Sequence, residues 1–211
     1  MNYLITGTDT EIGKTYVTSL LLQDLRRRGV QAAGYKPVAC GDRQDPRALR
    51  DASDPVMSLE EINPVYLRTP TAPHVAAAFE KTVIDPEILL AGYRNLDSKY
   101  EMVLVEGVGG WEVPMAPGML FSDFACMLAL PVILVVGNKL GAVNHAILTA
   151  NAIRARGLEC RGIVLNHLQE EWDTAALTNK ALLQEFTGLS VLEELIYGQD
   201  SLDSSAVFGE E

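Results

Sequence analysis

Two patterns in this 211-residue chain predict an α/β fold, with a mostly parallel sheet carrying helices on both faces. The first is a recurrence of short apolar runs at residues 3–6, 31–35, 102–105, 132–136 and 162–165, each followed by a loop and usually by a helical stretch. Uninterrupted apolar runs of that length suit strands covered on both sides. The second is a pair of helical segments, 15–28 and 142–156, that end in Arg26-Arg27-Arg28-Gly29 and Arg154-Ala155-Arg156-Gly157. Cations in a last turn meet the negative helix end, and the glycine that follows closes the helix.

Taken in order, the strand 3–6 leads through a glycine-rich loop into the helix 15–28, and the strand 31–35 ends at Lys36-Pro37. Helices are predicted over 45–52 and 86–96. The strand 102–105 stops at Glu106-Gly107, a helix over 122–130 precedes the strand 132–136, and the helix 142–156 follows a loop that begins at Gly137. The strand 162–165 stops at Asn166, and 174–186 reads as the next helix. Parallel sheets bind ligands beyond the carboxyl ends of their strands, so these loops should share one rim. One domain over 1–211 is expected, and the Ser-, Asp- and Glu-containing segment 198–211 reads as a mobile acidic end.

Composition excludes several classes. With 28 acidic against 17 basic residues the formal net charge is −11, which disfavours nucleic acid and anionic lipid as partners. Cys40, Cys126 and Cys160 are isolated, and His74, His145 and His167 do not join them in zinc-ligand spacings. Reduced thiols fit a cytoplasmic protein. The longest apolar stretch, 124–137, is broken by Pro131 and is too short to cross a bilayer, and no secretion signal is visible.

The loop Gly7-Thr8-Asp9-Thr10-Glu11-Ile12-Gly13-Lys14-Thr15 carries the first chemical signal. A glycine-rich turn leaves backbone N–H groups pointing inward, and the helix start adds its positive dipole end. Lys14 and Thr15 supply an ammonium and a metal-binding hydroxyl. This is a phosphate cradle and predicts a P-loop NTPase-like nucleotide user. Its spacing is unusual, because Thr8 stands where the first glycine of G-x-x-x-x-G-K-[ST] belongs and Gly7 comes one residue early.

Glu106 ends an apolar strand and precedes Gly107-Val108-Gly109-Gly110, which sets a carboxylate beside backbone able to approach a ligand closely. Together with Thr15 it offers the hard oxygen donors that Mg2+ takes alongside phosphate oxygens. Lys36 shares that rim and can neutralise charge on a transferring phosphoryl group. His145, on a helix with Ala142, Ala146 and Leu148, is assigned a structural role, and Trp111 and Trp172 are expected in the core or between subunits.

Together these segments resemble the dethiobiotin synthetases, ATP-dependent enzymes of biotin biosynthesis. The resemblance spans most of the chain and rests on Thr6 through Thr15, Tyr35-Lys-Pro-Val-Ala-Cys-Gly41, Val105-Glu-Gly-Val-Gly-Gly-Trp111, Lys139-Leu-Gly-Ala-Val-Asn-His145 with Leu148-Thr149, and Gly162-Ile-Val-Leu-Asn166. The phosphate loop alone is shared with partition ATPases and cobalamin amidation enzymes; the other segments separate them. The resemblance implies that 7,8-diaminononanoate, carbon dioxide and ATP give dethiobiotin, ADP and phosphate with Mg2+ as cofactor. It implies that Lys36 and Lys14 are catalytic, and that Glu11, Ile12, Gly13, Lys14, Thr15 and Tyr16 hold the nucleotide with Gly107, Val108 and Gly109. Thr15, Asp45 and Glu106 become metal ligands; Asp45 is chosen by its distance from Asn63-Pro64, with Asp51 and Asp54 as alternatives.

The resemblance further implies that Asn166, His167, Ile196 and Tyr197 surround the base, although the family often has Pro where Ile196 stands. Thr10, Lys36, Cys40, Gly109 and Gly110 face the diamine, with Cys40 in a place where a hydroxyl is common and makes a stronger hydrogen bond. Gly141, Ala142, Val143 and Asn144 would hold the substrate carboxylate from the partner of a homodimer. The rival reading is a partition-type ATP switch. Such a switch calls for a membrane-targeting helix or a basic partner surface, and neither is evident in this acidic sequence.

Overall fold

In the computed structural model, which describes residues 1–54 and 56–209, the apolar runs become the strands of a parallel sheet. β1 (Tyr3–Gly7) feeds α1 (Lys14–Arg27), which returns to β2 (Ala32–Tyr35). There follow β3 (Val38–Cys40), α2 (Gln44–Ala52), α3 (Leu59–Ile62), β4 (Val65–Leu67), α4 (Pro73–Glu80), α5 (Pro86–Asp97) and β5 (Met102–Glu106). β6 (Pro114–Ala116), β7 (Met119–Leu120) and α6 (Phe121–Leu128) precede β8 (Val132–Asn138), α7 (Ala142–Ala155) and β9 (Cys160–His167). The chain continues through α8 (Thr174–Thr187) and β10 (Val191–Leu195) to α9 (Ser204–Phe208).

Among the described residues the main sheet has the order β10-β9-β8-β1-β5-β2, and its pairings are parallel. β1, β2, β5 and β8 are buried at every position, so both faces must be covered. Alternation along β8 makes this concrete. Leu134 and Val136 join Ala146, Ala150 and Leu183 under α7 and α8, whereas Ile133 and Val135 belong to the larger cluster that holds Phe121 and Phe124. From β1 the chain moves outward to β2, returns to β5 and then crosses to β8 on the far side of β1. The loops after β1 and β5 therefore border a switch point, where such sheets open a binding crevice.

Several elements were not expected. β10, with Glu193 and Glu194 in its middle, lacks an apolar run because, unlike β2 at the opposite edge, it is only half-buried up to Leu195. The short pairs β3–β4 and β6–β7 stand apart from the main sheet, and Ala39 and Cys40 of β3 and Val113 just before β6 line the crevice. The segment after Gly198, expected to be a mobile end, is instead packed down: Leu202, Val207 and Phe208 are buried, and Phe208 lies 4.5 Å from the Tyr3 ring. Glu210 and Glu211 lie outside the described residues. Trp111 is buried as expected, but Trp172 is 42% exposed and stacks on His167. His145 is exposed on α7. Among the described residues no helix is long and apolar enough to cross a membrane.

Candidate active site

A cavity of about 780 Å3 opens where the loops after β1, β2 and β5 meet, and Thr10, Lys14, Thr15, Lys36, Asp45 and Gly109 line it. The phosphate loop owes its shape to two left-handed residues, Glu11 (φ 56) and Gly13 (φ 89), separated by Ile12. Alternating backbone hand turns successive N–H groups to one side and forms an anion-binding nest. Gly13 must be glycine on steric grounds as well, since a Cβ there falls 2.2 Å from the Asn166 amide. Lys14 is held across the loop by the Asp9 carbonyl at 2.6 Å.

Lys36 sits at the end of β2, fixed by its own backbone: its N–H donates to Ile62 and its carbonyl accepts from the Asn63 amide. Its ammonium is buried and donates to Glu106 Oε1 at 2.5 Å, Asp45 Oδ2 at 3.0 Å and the Gly107 carbonyl at 3.0 Å. Burial, the largest influence, opposes the charged form, but the Glu106 and Asp45 carboxylates outweigh it and raise the Lys36 pKa. Lys14 behaves oppositely. Burial first, and then the neighbouring Lys36 charge, lower it to about 8. For Asp45 burial works upward, yet Lys36, Thr15 and Lys14 pull its carboxyl below the ordinary value.

The metal-ligand candidates converge as well. The Thr15 hydroxyl donates to Glu106 Oε1 at 2.6 Å and is close enough to Asp45 to stabilise that carboxylate. Glu106 is wholly buried, and its Oε2 has no hydrogen-bond partner among the described residues. An orphaned carboxylate oxygen at that depth is costly unless a donor or cation reaches it. Together these all-oxygen groups fit Mg2+, which shares its coordination shell with phosphate oxygens. No group of three or more His, Cys, Asp or Glu able to hold an ion is present among the described residues. A cation here would thus depend on the nucleotide for further ligands.

Other candidates divide. Asp45 joins the cluster, whereas Asp51 pairs with Arg50 and Asp54 accepts from the Val56 N–H. Glu11, Tyr16, Cys40 and Val108 line the cavity; burial, with nearby Glu80 second, pushes the Cys40 thiol up to about 11. Gly110 lies against Thr8 of the phosphate loop. Asn166 donates to the Ile12 carbonyl at 2.9 Å and so supports the phosphate loop directly.

His167, next along β9, has a buried ring that is bonded to Glu194 at 2.9 Å and stacked on Trp172. Ile196 and Tyr197 are more than half exposed on the turn after β10. Gly141, Ala142, Val143 and Asn144 begin α7, outside this chain's own cavity. Sequence reasoning missed the wall formed by Asp42 and by Pro70, Thr71, Ala72 and Pro73. Its available signal was the Pro-Thr-Ala-Pro run, with the second Pro starting α4.

Residues 1–201 match the family described as an AAA domain. The ATP-dependent dethiobiotin synthetase BioD of Akkermansia muciniphila is 56% identical over 202 residues, covering 96% of this chain and 95% of that protein. BioD 1 of Escherichia coli strain K12 is 42% identical over 172 residues, covering 78% of this chain and 76% of that one. Among solved structures, a ParA family ATPase from Chlorobium tepidum TLS superposes with a TM-score of 0.59 at 12% identity, covering 99% of this chain and 89% of that one. The septum site-determining protein MinD from Pyrococcus horikoshii OT3, complexed with Mg-ADP, gives 0.58 at 18% identity over 93% and 82%. At such identities the likeness speaks for the fold alone.

Proposed function

This chain belongs to the family of ATP-dependent dethiobiotin synthetases, and we propose that it closes the cyclic urea through a carbamate and a carbamic-phosphoric anhydride. One amine of 7,8-diaminononanoate adds to carbon dioxide and loses a proton, giving a carbamate. A carbamate oxygen then attacks the γ-phosphorus of ATP as the bond to the β,γ-bridging oxygen breaks, releasing ADP. The second amine, neutral, attacks the carbamoyl carbon, loses its proton and expels phosphate.

The observation that carries this reading is the pairing of two buried ammonium groups, Lys14 and Lys36, on one cavity lined also by Asp45 and the phosphate loop, with the buried Glu106 bonded to Lys36. No covalent bond to the protein is needed, so its residues position and neutralise. Lys14 and the loop N–H groups hold the β- and γ-phosphates. Lys36 is kept charged by its carboxylates and faces the oxygens that gain charge during transfer. Thr15, Asp45 and Glu106 would hold Mg2+, which would supply further neutralisation of the phosphate oxygens. Cys40 and the Pro70–Pro73 wall bound the diamine.

The substrate carboxylate is assigned to the start of α7 of a second copy, in a homodimer. Leu140 at 83% exposure and Leu148 at 61% supply apolar surface beside Gly141–Asn144 for such a contact. Incubating the protein with the diamine, bicarbonate, Mg2+ and ATP should yield dethiobiotin by mass. ATP hydrolysis stimulated by a protein partner, without that product, would support the switch instead.

A further inference from the structure

Tyr16 stands in the first turn of α1 and lines the cavity with Gly13 and Thr15. Its hydroxyl donates to the main-chain carbonyl of Gln199. Gln199 in turn staples the segment after β10: its side-chain oxygen accepts from the Ile196 N–H at 3.2 Å, and its own N–H donates to the Ile196 carbonyl at 3.2 Å. Its Nε2 also donates to the Ser201 carbonyl at 2.6 Å. Ile196 and Tyr197 form the exposed edge of this turn.

The location of the turn gives the clasp a role. Leu195 is in register with Asn166, and the Asn166 amide touches the Ile12–Gly13 end of the phosphate loop. Lys36, Cys40 and Pro70 lie elsewhere along the same cavity. A nucleoside triphosphate whose terminal phosphate reaches Lys36 therefore leaves its nucleoside at the Tyr16 end.

The rest of the segment is anchored without Tyr16. The Ser204 N–H donates to Asp24 Oδ2 at 2.8 Å, Asp203 pairs with Arg28 at 2.6 Å, and Phe208 packs on Tyr3. Loss of the Tyr16 hydroxyl thus frees the turn and leaves the segment docked.

We infer that Tyr16 is a positioning residue for base recognition: by fastening Gln199 it fixes the 196–199 turn as a lip against the heterocycle of the bound nucleotide. The inference rests on the proposed ATP site and assigns the part of it that the phosphate loop does not determine. Neither Tyr16 nor Gln199 needs to touch the reacting atoms.

The test is calorimetric binding of ATP and of inorganic tripolyphosphate to the full chain and to Tyr16→Phe and Gln199→Ala. The unsubstituted protein should bind ATP more tightly than tripolyphosphate. Each variant should lose about three- to tenfold in ATP affinity, the size of one net hydrogen bond, while keeping its tripolyphosphate affinity. The double variant should lose no more than that, because both groups act on the same turn. Equal weakening of both ligands would assign Tyr16 to the phosphate loop and overturn the inference, as would unchanged ATP affinity. If the unsubstituted protein binds both ligands equally, the ATP site stands and the lip is overturned; if it binds neither, the ATP site itself falls and the lip with it. Should Tyr16→Phe fail to fold, Gln199→Ala carries the same comparison.

Discussion

Replacing Lys36 by Met keeps the length of the side chain and removes its charge from between Glu106 and Asp45. Contacts of 2.5 and 3.0 Å correspond to roughly 6 kcal/mol each at an effective dielectric of about 20, before the cost of desolvating the ions. Asp45 is half exposed, so solvent screens its share, whereas Glu106 is wholly buried. The net effect should therefore be that of leaving one buried carboxylate unpaired, a loss of about 3–5 kcal/mol in unfolding free energy. Turnover should fall by about 10²–10³ if Lys36 also stabilises the transferring phosphoryl group.

These two roles separate in the double variant Lys36→Met/Glu106→Gln. Neutralising Glu106 should recover most of the stability, measured by denaturant unfolding, because no buried charge is then stranded. Dethiobiotin formation, measured by mass, should stay low, while the single Lys36→Met variant should still bind ATP through Lys14 and the loop. Recovery of turnover along with stability would refute the reasoning and reduce Lys36 to a counter-ion for Glu106.

Lys14 gives a proton-linkage prediction. Its folded pKa, about 8, lies below the ordinary 10.5, so between those values the folded protein holds fewer protons than the unfolded chain and stability rises with pH. A bound triphosphate restores the charge. Calorimetry at about pH 8.5, in buffers of different ionisation enthalpy, should accordingly register proton uptake with ATP, and Lys14→Arg should abolish it. Asp45→Asn should raise the Mg2+ concentration needed for half-maximal turnover by about 10-fold or more, with little effect on folding; an unchanged Mg2+ titration would remove Asp45 from the metal site. Phe208→Ala should cost about 3 kcal/mol in denaturant unfolding if the end of the chain is docked as observed, and close to nothing if it is loose.

The central strands were legible because burial on both faces writes a continuous apolar run, as in residues 102–105 and 132–136. β10 was not, since an edge strand can carry Glu193 and Glu194 without losing its ladder to β9. Lys36 and Glu106 are 70 positions apart, yet the rule that parallel strands deliver their loops to one rim was enough to join them. The same rule does not say what each rim residue bonds to: the Asn166 amide donates to the Ile12 carbonyl of the phosphate loop, whereas the His167 ring is bonded to Glu194. Asp45 was selected through the family resemblance by its distance from Asn63-Pro64, and the folded chain turns it toward Lys36. The final segment was misjudged from its acidic and small residues, although Leu202, Val207 and Phe208 were already available to bury.

The irregular phosphate loop has a physical explanation in where its backbone needs freedom. A glycine is required where φ is positive or where a Cβ collides, and Thr8, at the position of the usual first glycine, is not among the residues with positive φ. The demand has moved to either side. At Gly7 a Cβ would fall 2.6 Å from the Ile12 side chain and 2.9 Å from that of Lys14, so the earlier glycine clears room for the lysine to lie back across the loop. At Glu11 the left-handed turn is taken by a residue with a Cβ, at a cost on the order of 1–3 kcal/mol, and the surrounding packing must hold it there. Ile12, next along the loop, is buried, and its carbonyl is bonded to Asn166 from β9. The strained turn is thereby pinned from the sheet beneath it, which keeps the N–H groups of the nest aimed at one point before any phosphate arrives.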